Sequence, residues 1–482
     1  MTYENYFRSK AFKQVLDDFK QCEAKGVPCI ISSDDYSDLI LYYHQNNHDE
    51  KAAEIFEKAM TLYPNALSLM TVKIRMILTK GQVEEAWKLA EQIEDQEDPE
   101  YSHIIAEIMI AEGKFEEADQ YLEEWYQERC DEEGMEDFAM DTAWLFQDLN
   151  LVSLARKWLD KVDDQEDEEY LELKAILLSL EGNFEESKRI INLLIDRDPY
   201  AVSYWNLLAH TQLKNGELKE SITSSEYSLA INSEDPEGLY YKASALYALD
   251  NVEEAVQYFE RYSRLCPQDP NGEFFQGTCL TDLNRFEEAM VHLKKAEQLM
   301  DSDVPFSFDP SSLYRELSFV CSQSDLPEEA LSYLAKMDAD EYDRNELLVM
   351  KGHIFLQCER YQEAQDCFTK AMEDSQCAPH IVFQMASSMY YFKQYDQCYE
   401  ALQAILPFPN EYWQGKGYAL LAACAFQRKD KSAFEEYMKE GLKHDPTTTK
   451  AIVVQLFPED LTAHEAVEFA KNHFLSSHQA EE

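Results

Sequence analysis

The chain is poor in the residues that break regular structure and short of positive charge. Only 13 Gly and 15 Pro are spread over 482 residues, which argues against an all-β fold and for helices joined by short connectors. Lys and Arg number 43 against 94 Asp and Glu, a net charge of -51. A phosphate backbone or an anionic membrane surface would be repelled, so nucleic acid is excluded as a partner class and no membrane insertion is expected. No stretch approaches the roughly 18 to 20 consecutive apolar residues of a spanning helix. The opening MTYENYFRSKAFKQVLDDF has no apolar core or small-residue cleavage site of a secretory signal, and a cytoplasmic location is expected. Eleven cysteines, an odd number, are scattered without the dense framework of a secreted mini-domain, so reduced thiols are expected. With 45% hydrophobic residues the chain has ample material for a core, and its length would allow two to four domains.

Signatures of chemistry are equally scarce. There is no phosphate-cradling glycine loop ending in Lys-Ser/Thr, and Gly415-Lys416-Gly417 is too short to serve as one. His464-Glu465 lacks the second histidine of a helical zinc-hydrolase motif, and Cys358, Cys367 and Cys377 form no Cys-x-x-Cys pair. The acidic runs Glu94 to Asp98 and Asp163 to Glu169 lack the alternating ligands and central glycine of a calcium loop, and read as solvated turns. No catalytic residue, cofactor or metal is expected, and the chain is read as not an enzyme.

What is present is a repeat. A small residue follows an acidic pair or its equivalent at Ala52, Ala86, Ala118, Ala155, Ser187, Ser221, Ala255, Ala289, Ala330, Ala364, Cys398 and Ala433. The spacings are 34, 32, 37, 32, 34, 34, 34, 41, 34, 34 and 35. Ala52 is followed by Phe56, Ala59 and Pro64; Ala255 by Phe259, Tyr262 and Pro267; Ala364 by Phe368 and Ala371. Trp205, Leu208 and Ala209 supply an opening Trp, Leu and small residue. In period and in these marks the chain resembles the tetratricopeptide-repeat family.

The resemblance implies an all-α fold: a right-handed α-solenoid superhelix of about twelve helix-turn-helix hairpins, each a helix A followed by a helix B. Small residues in helix A (Ala175, Ala209, Ala243, Gly277, Gly352, Ala386) and at the start of helix B let the two helices approach closely, and each hairpin leaves an apolar face for its neighbour. Residues 1–32 read as an N-terminal capping helix, 33–300 as repeats 1 to 8, 301–310 as an inserted joint, 311–446 as repeats 9 to 12, and 447–482 as C-terminal capping helices, broken at Pro458, with a tail. The Glu pairs at 84–85, 116–117, 185–186, 253–254, 287–288 and 328–329 fall at helix-B starts, where exposed amides and the helix dipole favour negative charge.

In this family the concave wall is built mainly from helix A. Carried over unit by unit, the wall positions are Trp144, His210, Tyr240, Tyr247, Phe274, His353, Phe383, Tyr390 and Tyr391. Some relatives grip the C-terminal carboxylates of heat-shock proteins with Lys, Arg and Asn on helix A. The corresponding positions here include Asn206, Tyr240, Ser244 and Phe274, with no basic cluster, which excludes that mode. A basic or aromatic-rich protein segment fits the wall better. The reading is a non-catalytic, cytoplasmic scaffold or adaptor. The alternative is a regulatory sensor that binds a peptide or small-molecule signal and changes pitch.

Overall fold

The computed structural model describes residues 7, 10–25, 27, 29–45, 49–129, 134–300, 306–337, 343–408 and 414–454. Among the described residues there are 26 helices and no strand, so the chain is all-α. It divides into two compact units, Met1–Ser307 and Phe308–Glu482.

In the first unit successive helices pair across short turns, which makes them antiparallel neighbours. The pairs are Ser33–Gln45 with Asp49–Leu62, Leu67–Leu78 with Val83–Ala90, Pro99–Ala111 with Phe115–Arg129, and Met135–Asp148 with Val152–Leu159. They continue as Glu168–Leu180 with Phe184–Arg197, Val202–Lys214 with Leu218–Ile231, Pro236–Ala248 with Val252–Leu265, and Pro270–Asp282 with Phe286–Leu299. The second unit repeats the scheme in Pro310–Gln323 with Pro327–Lys336, Arg344–Gln357 with Tyr361–Asp374, Pro379–Tyr391 with Tyr395–Ile405, and Gln414–Gln427 with Lys431–His444.

Local chemistry sets the hairpin. Helix A is started by an aspartate whose side chain accepts from a backbone amide of the first turn, as at Asp98, Asp167, Asp235, Asp269, Asp309 and Asp343. These caps satisfy donors that the helix itself cannot. The acidic runs ending near Asp98 and Asp167 are therefore more than solvated turns, because each supplies a cap. The A-to-B turn holds one residue in the left-handed region: Gly182 at φ +80° and Gly216 at +77°, but Asn150, Asp250, Asn284, Asp325, Glu359, Lys393 and Lys429 elsewhere. Asn183 N–H then donates to Leu178 O at 2.8 Å, closing the helix end as a C-terminal cap does.

Five residues after that turn position comes the small helix-B residue. Ala52, Ala86, Ala118, Ala155, Ser187, Ser221, Ala255, Ala289, Ala330, Ala364 and Cys398 all have 0% exposure. Contact there is close enough for Ser187 and Ser221 to donate to the carbonyls of Ala175 and Ala209, each at 2.8 Å. A Cβ on Gly277 would lie 2.5 Å from Leu293, and one on Gly352 would lie 2.4 Å from the Phe368 ring. The last hairpin departs from the expected register. Lys429 is its left-handed residue, so Phe434 rather than Ala433 takes the equivalent place. Phe434 is buried and Ala433 only partly so; Ala422 and Ala425, both fully buried beside Phe434, leave room for its ring.

Lys10–Lys25 covers the first hairpin with buried Phe12, Leu16 and Phe19, and Pro446–Val454 packs on Gln414–Gln427. Of the inserted joint, residues 301–305 lie outside the described residues, as do Pro458 and the rest of 455–482.

Candidate functional site

Helix A contributes a row of side chains pointing away from helix B. One register position, directly after the small helix-A residue or its equivalent, holds Arg75 after Ile74, Glu107 after Ala106, Trp144 after Ala143, His210 after Ala209 and His353 after Gly352. In the first unit this row opens into a cleft of about 1060 Å³. Helix-A residues of three consecutive hairpins line it, with Glu169 from the start of a fourth.

The cleft is acidic. Among the described residues of its lining Arg75 is the only cation, against Asp98, Glu100, Glu107, Asp141, Asp148 and Glu169. Arg75 is itself engaged: its Nε lies 3.1 Å from both Glu107 carboxylate oxygens and its Nη2 2.9 Å from Oε1. Asp141 and Asp148 reach solvent but sit between protein walls. Burial first, then the Glu169 and Asp137 charges, push the Asp141 carboxyl up to about 6. Burial also raises Asp148, and deeper along the wall Glu172. At the floor, His103 is wholly enclosed, with Nε2 2.9 Å from Thr142 Oγ1 and its ring stacked on Phe138. Burial, with the nearby Arg75 charge, lowers it to about 3, so it is neutral at physiological pH.

The expected wall residues fall into three places. Trp144 lies in the acidic cleft and is 8% exposed. A second group joins His210, Tyr240 and Phe274 through the rings of Tyr241 and Phe275. There Phe274 is 6% exposed and has little ring to offer, and the Tyr240 hydroxyl, raised by burial, lies 3.1 Å from Ser307 Oγ. Tyr247, further along the same helix, donates to Asp282 Oδ2 at 2.9 Å. In the second unit His353 and Tyr391 have ring centroids 5.5 Å apart, and Tyr391 is 60% exposed. Phe383 and Tyr390 are half-buried against the cluster that contains Cys398 and Cys424. Burial depresses both His210, to about 4, and His353.

Sequence reasoning found the aromatics and missed the carboxylates. Arg75 and Glu107 share the register of Trp144, His210 and His353, and counting back from Ala86 and Ala118 would have reached them. Among the described residues no His, Cys, Asp and Glu cluster is placed to hold a metal ion, and no helix is long and apolar enough to cross a membrane. The ten described cysteines are free thiols, with Cys29, Cys279, Cys321, Cys398 and Cys424 buried.

A solenoid of closely packed hairpins with a side-chain row left open along helix A defines the class of repeat proteins that hold other polypeptides. Tetratricopeptide-repeat family models match residues 206–270 and 346–373, and the chain is a tetratricopeptide-repeat protein. Solved structures resemble it at low identity. The APC/C hetero-tetramer Cut9-Hcn1 is 14% identical, with 95% of each chain covered and a TM-score of 0.37. A tetratricopeptide repeat protein from Parabacteroides merdae is 13% identical over 53% of this chain and 98% of that one, with a TM-score of 0.42. PilW, a type IV pilus biogenesis factor, is 14% identical over 45% and 96%, at 0.39. No curated protein matches the chain.

Proposed function

We propose that the protein is a non-catalytic scaffold that takes a segment of another protein along the helix-A wall of its hairpins. The supporting observation is the wall itself: in both units it presents charged and aromatic side chains that helix B does not cover. Exposed rings such as Tyr391 suit partner surfaces, where a large apolar face comes at low entropic cost. The acidic lining favours a basic segment over an acidic one. A cytoplasmic setting belongs to the same reading.

Photo-crosslinking along the wall tests this. A crosslinking amino acid at Tyr247 or Tyr391, in the full chain and native extract, is expected to trap the same partner. The same group at Val291, 66% exposed on a helix B, is expected to trap none. Equal trapping at Val291, or none at the wall, overturns the proposal.

A further inference from the structure

Among the described residues, two cysteine pairs have hydrogen-bonded side chains: Cys22 with Cys29 near the cap helix, and Cys398 with Cys424 in the second unit. They differ in access. Cys398 and Cys424 are both wholly enclosed, on the packed helices Tyr395–Ile405 and Gln414–Gln427. Cys29 is also buried, but Cys22 is partly exposed. Both line a cleft of about 590 Å³ with Phe19, Val27, Tyr36 and Leu62.

The fold brings Cys22 and Cys29 together from two sides. Cys22 lies in the last turn of the cap helix Lys10–Lys25, and Val27 N–H donates to Cys22 O at 3.1 Å, so the chain turns back over the helix end. Cys29 belongs to a segment tied to the first hairpin: its carbonyl accepts from the Tyr36 hydroxyl at 2.8 Å, and the Ile31 carbonyl accepts from the Tyr63 hydroxyl at 2.7 Å. Both cysteines pack into the apolar cluster that holds Phe19 and Tyr36. One thiol therefore rides on the cap and the other on the body that the cap covers.

We propose that Cys22 and Cys29 form a reversible dithiol–disulfide switch that clamps the cap helix to the first hairpin, with a low-molecular-weight disulfide as the oxidant. The Cys22 thiolate attacks one sulfur of that disulfide from the cleft, forming a mixed disulfide and releasing one small thiolate. The Cys29 thiolate then attacks Cys22 Sγ; the Cys22–Cys29 bond forms, the mixed disulfide breaks and the second small thiolate leaves. The two protons given up by the cysteines go to the released thiolates, so two protein thiols are oxidised and one small disulfide is reduced.

The order of the two steps follows from burial. Enclosure first, then the hydrogen bond and charge of Cys22, with Asp18 and Asp35 adding to them, push the Cys29 thiol up to about 11. Cys29 is thus the resolving group and not the one that meets the oxidant. Once Cys22 is in the mixed disulfide it carries no charge, and its share of that rise is gone. The bond closes the loop from Cys22 to Cys29 and suppresses openings in which the cap detaches. An end hairpin of a solenoid relies on such a cover for its apolar face, so the clamp sets how often that face is uncovered.

The test equilibrates the full chain with oxidised and reduced glutathione, unfolds it in an alkylating agent and maps every cysteine by peptide mass spectrometry. Wild type is expected to show Cys22 linked to Cys29, and to return to the dithiol when reduced glutathione is in excess. Exposed Cys377 should take glutathione, which shows the oxidant to be active, while Cys398 and Cys424 should remain alkylated thiols. Cys29→Ala, which cannot resolve, is expected to accumulate glutathione on Cys22 about tenfold over wild type; Cys22→Ala should leave Cys29 unmodified. Hydrogen exchange of the amides of residues 10–25 should slow about tenfold or more on oxidation of wild type and stay unchanged in Cys22→Ala. The pair assignment is overturned if Cys398 and Cys424 link as readily, or if wild type with glutathionylated Cys377 shows no Cys22–Cys29 bond. Glutathione on Cys29 in Cys22→Ala overturns the order of attack, and a Cys22–Cys29 bond with unchanged exchange overturns the clamp. The wild-type map needs no substitution, so the pair assignment is decided even where a variant fails to fold.

Discussion

Two residues facing the same cleft respond to pH in opposite directions. Asp141 is held above its ordinary value, near 6, so the folded state binds its proton more tightly than the unfolded chain does. Its charge therefore costs stability above pH 6, and that cost fades as pH falls from 6 towards 4. His103 is held down to about 3, so below about 6.5 the unfolded chain takes up a proton that the fold refuses. Its contribution is intact above pH 6.5 and is lost progressively as pH falls towards 3. Two outcomes follow. Asp141→Asn should raise the melting temperature at pH 7.5, by the equivalent of about 1 kcal/mol once solvent screening of an exposed carboxyl is allowed for. His103→Gln, which has no ring to protonate, should lose less stability than wild type between pH 7 and pH 5, a difference of about 2 kcal/mol in denaturant melts. The Glu169 and Asp137 charges add to the cost at Asp141.

At the scale of the helix pair, stability depends on how closely A and B approach. Gly277→Ala drives a methyl into Leu293, and Gly352→Ala drives one into the Phe368 ring. Each is expected to cost about 1–3 kcal/mol in chemical denaturation despite the better helix propensity of Ala. The turns offer the opposite change. Glu359 and Lys393 sit at φ +58° and +60°, where a Cβ is strained, so Glu359→Gly and Lys393→Gly should each stabilise by up to about 1 kcal/mol. These same features made the hairpins legible in the sequence: a small residue must recur where the helices touch, and the period of about 34 follows. Ala433 was misplaced because the last hairpin fills that contact with Phe434 beside two alanines, a volume exchange that a search for small residues passes over. Phe274 was placed on the wall by family register, but the adjoining Phe275 and Tyr240 rings leave almost none of it exposed. The acidic cleft was illegible for another reason. Among 94 acidic residues, only the fold distinguishes an aspartate that faces a cleft from one at a helix start.

Over the whole molecule, the surplus of acid should make salt act on folding and on binding with opposite signs. Many carboxylates have local causes: glutamates at helix-B starts are favoured by the helix dipole, and several pair with an arginine one turn on, as Glu186 with Arg189 and Glu288 with Arg285. Such exposed pairs contribute little each, whereas a net charge of -51 repels itself throughout the compact state. Screening shortens from about 10 Å at 0.1 M to about 3 Å at 1 M salt, so added NaCl should raise the melting temperature. The same screening removes the attraction that draws a basic segment in from a distance, so the association rate of a basic peptide held by the wall should fall by more than about tenfold over that range. Its dissociation rate should change much less, because long-range steering acts on the encounter and not on the contacts already formed. Stopped-flow anisotropy at several salt concentrations, beside thermal melts in the same buffers, measures both effects. A melting temperature that falls with salt would show that surface ion pairs outweigh the repulsion. Dissociation accelerating as much as association slows would show that salt acts on the contacts themselves and not on steering from a distance.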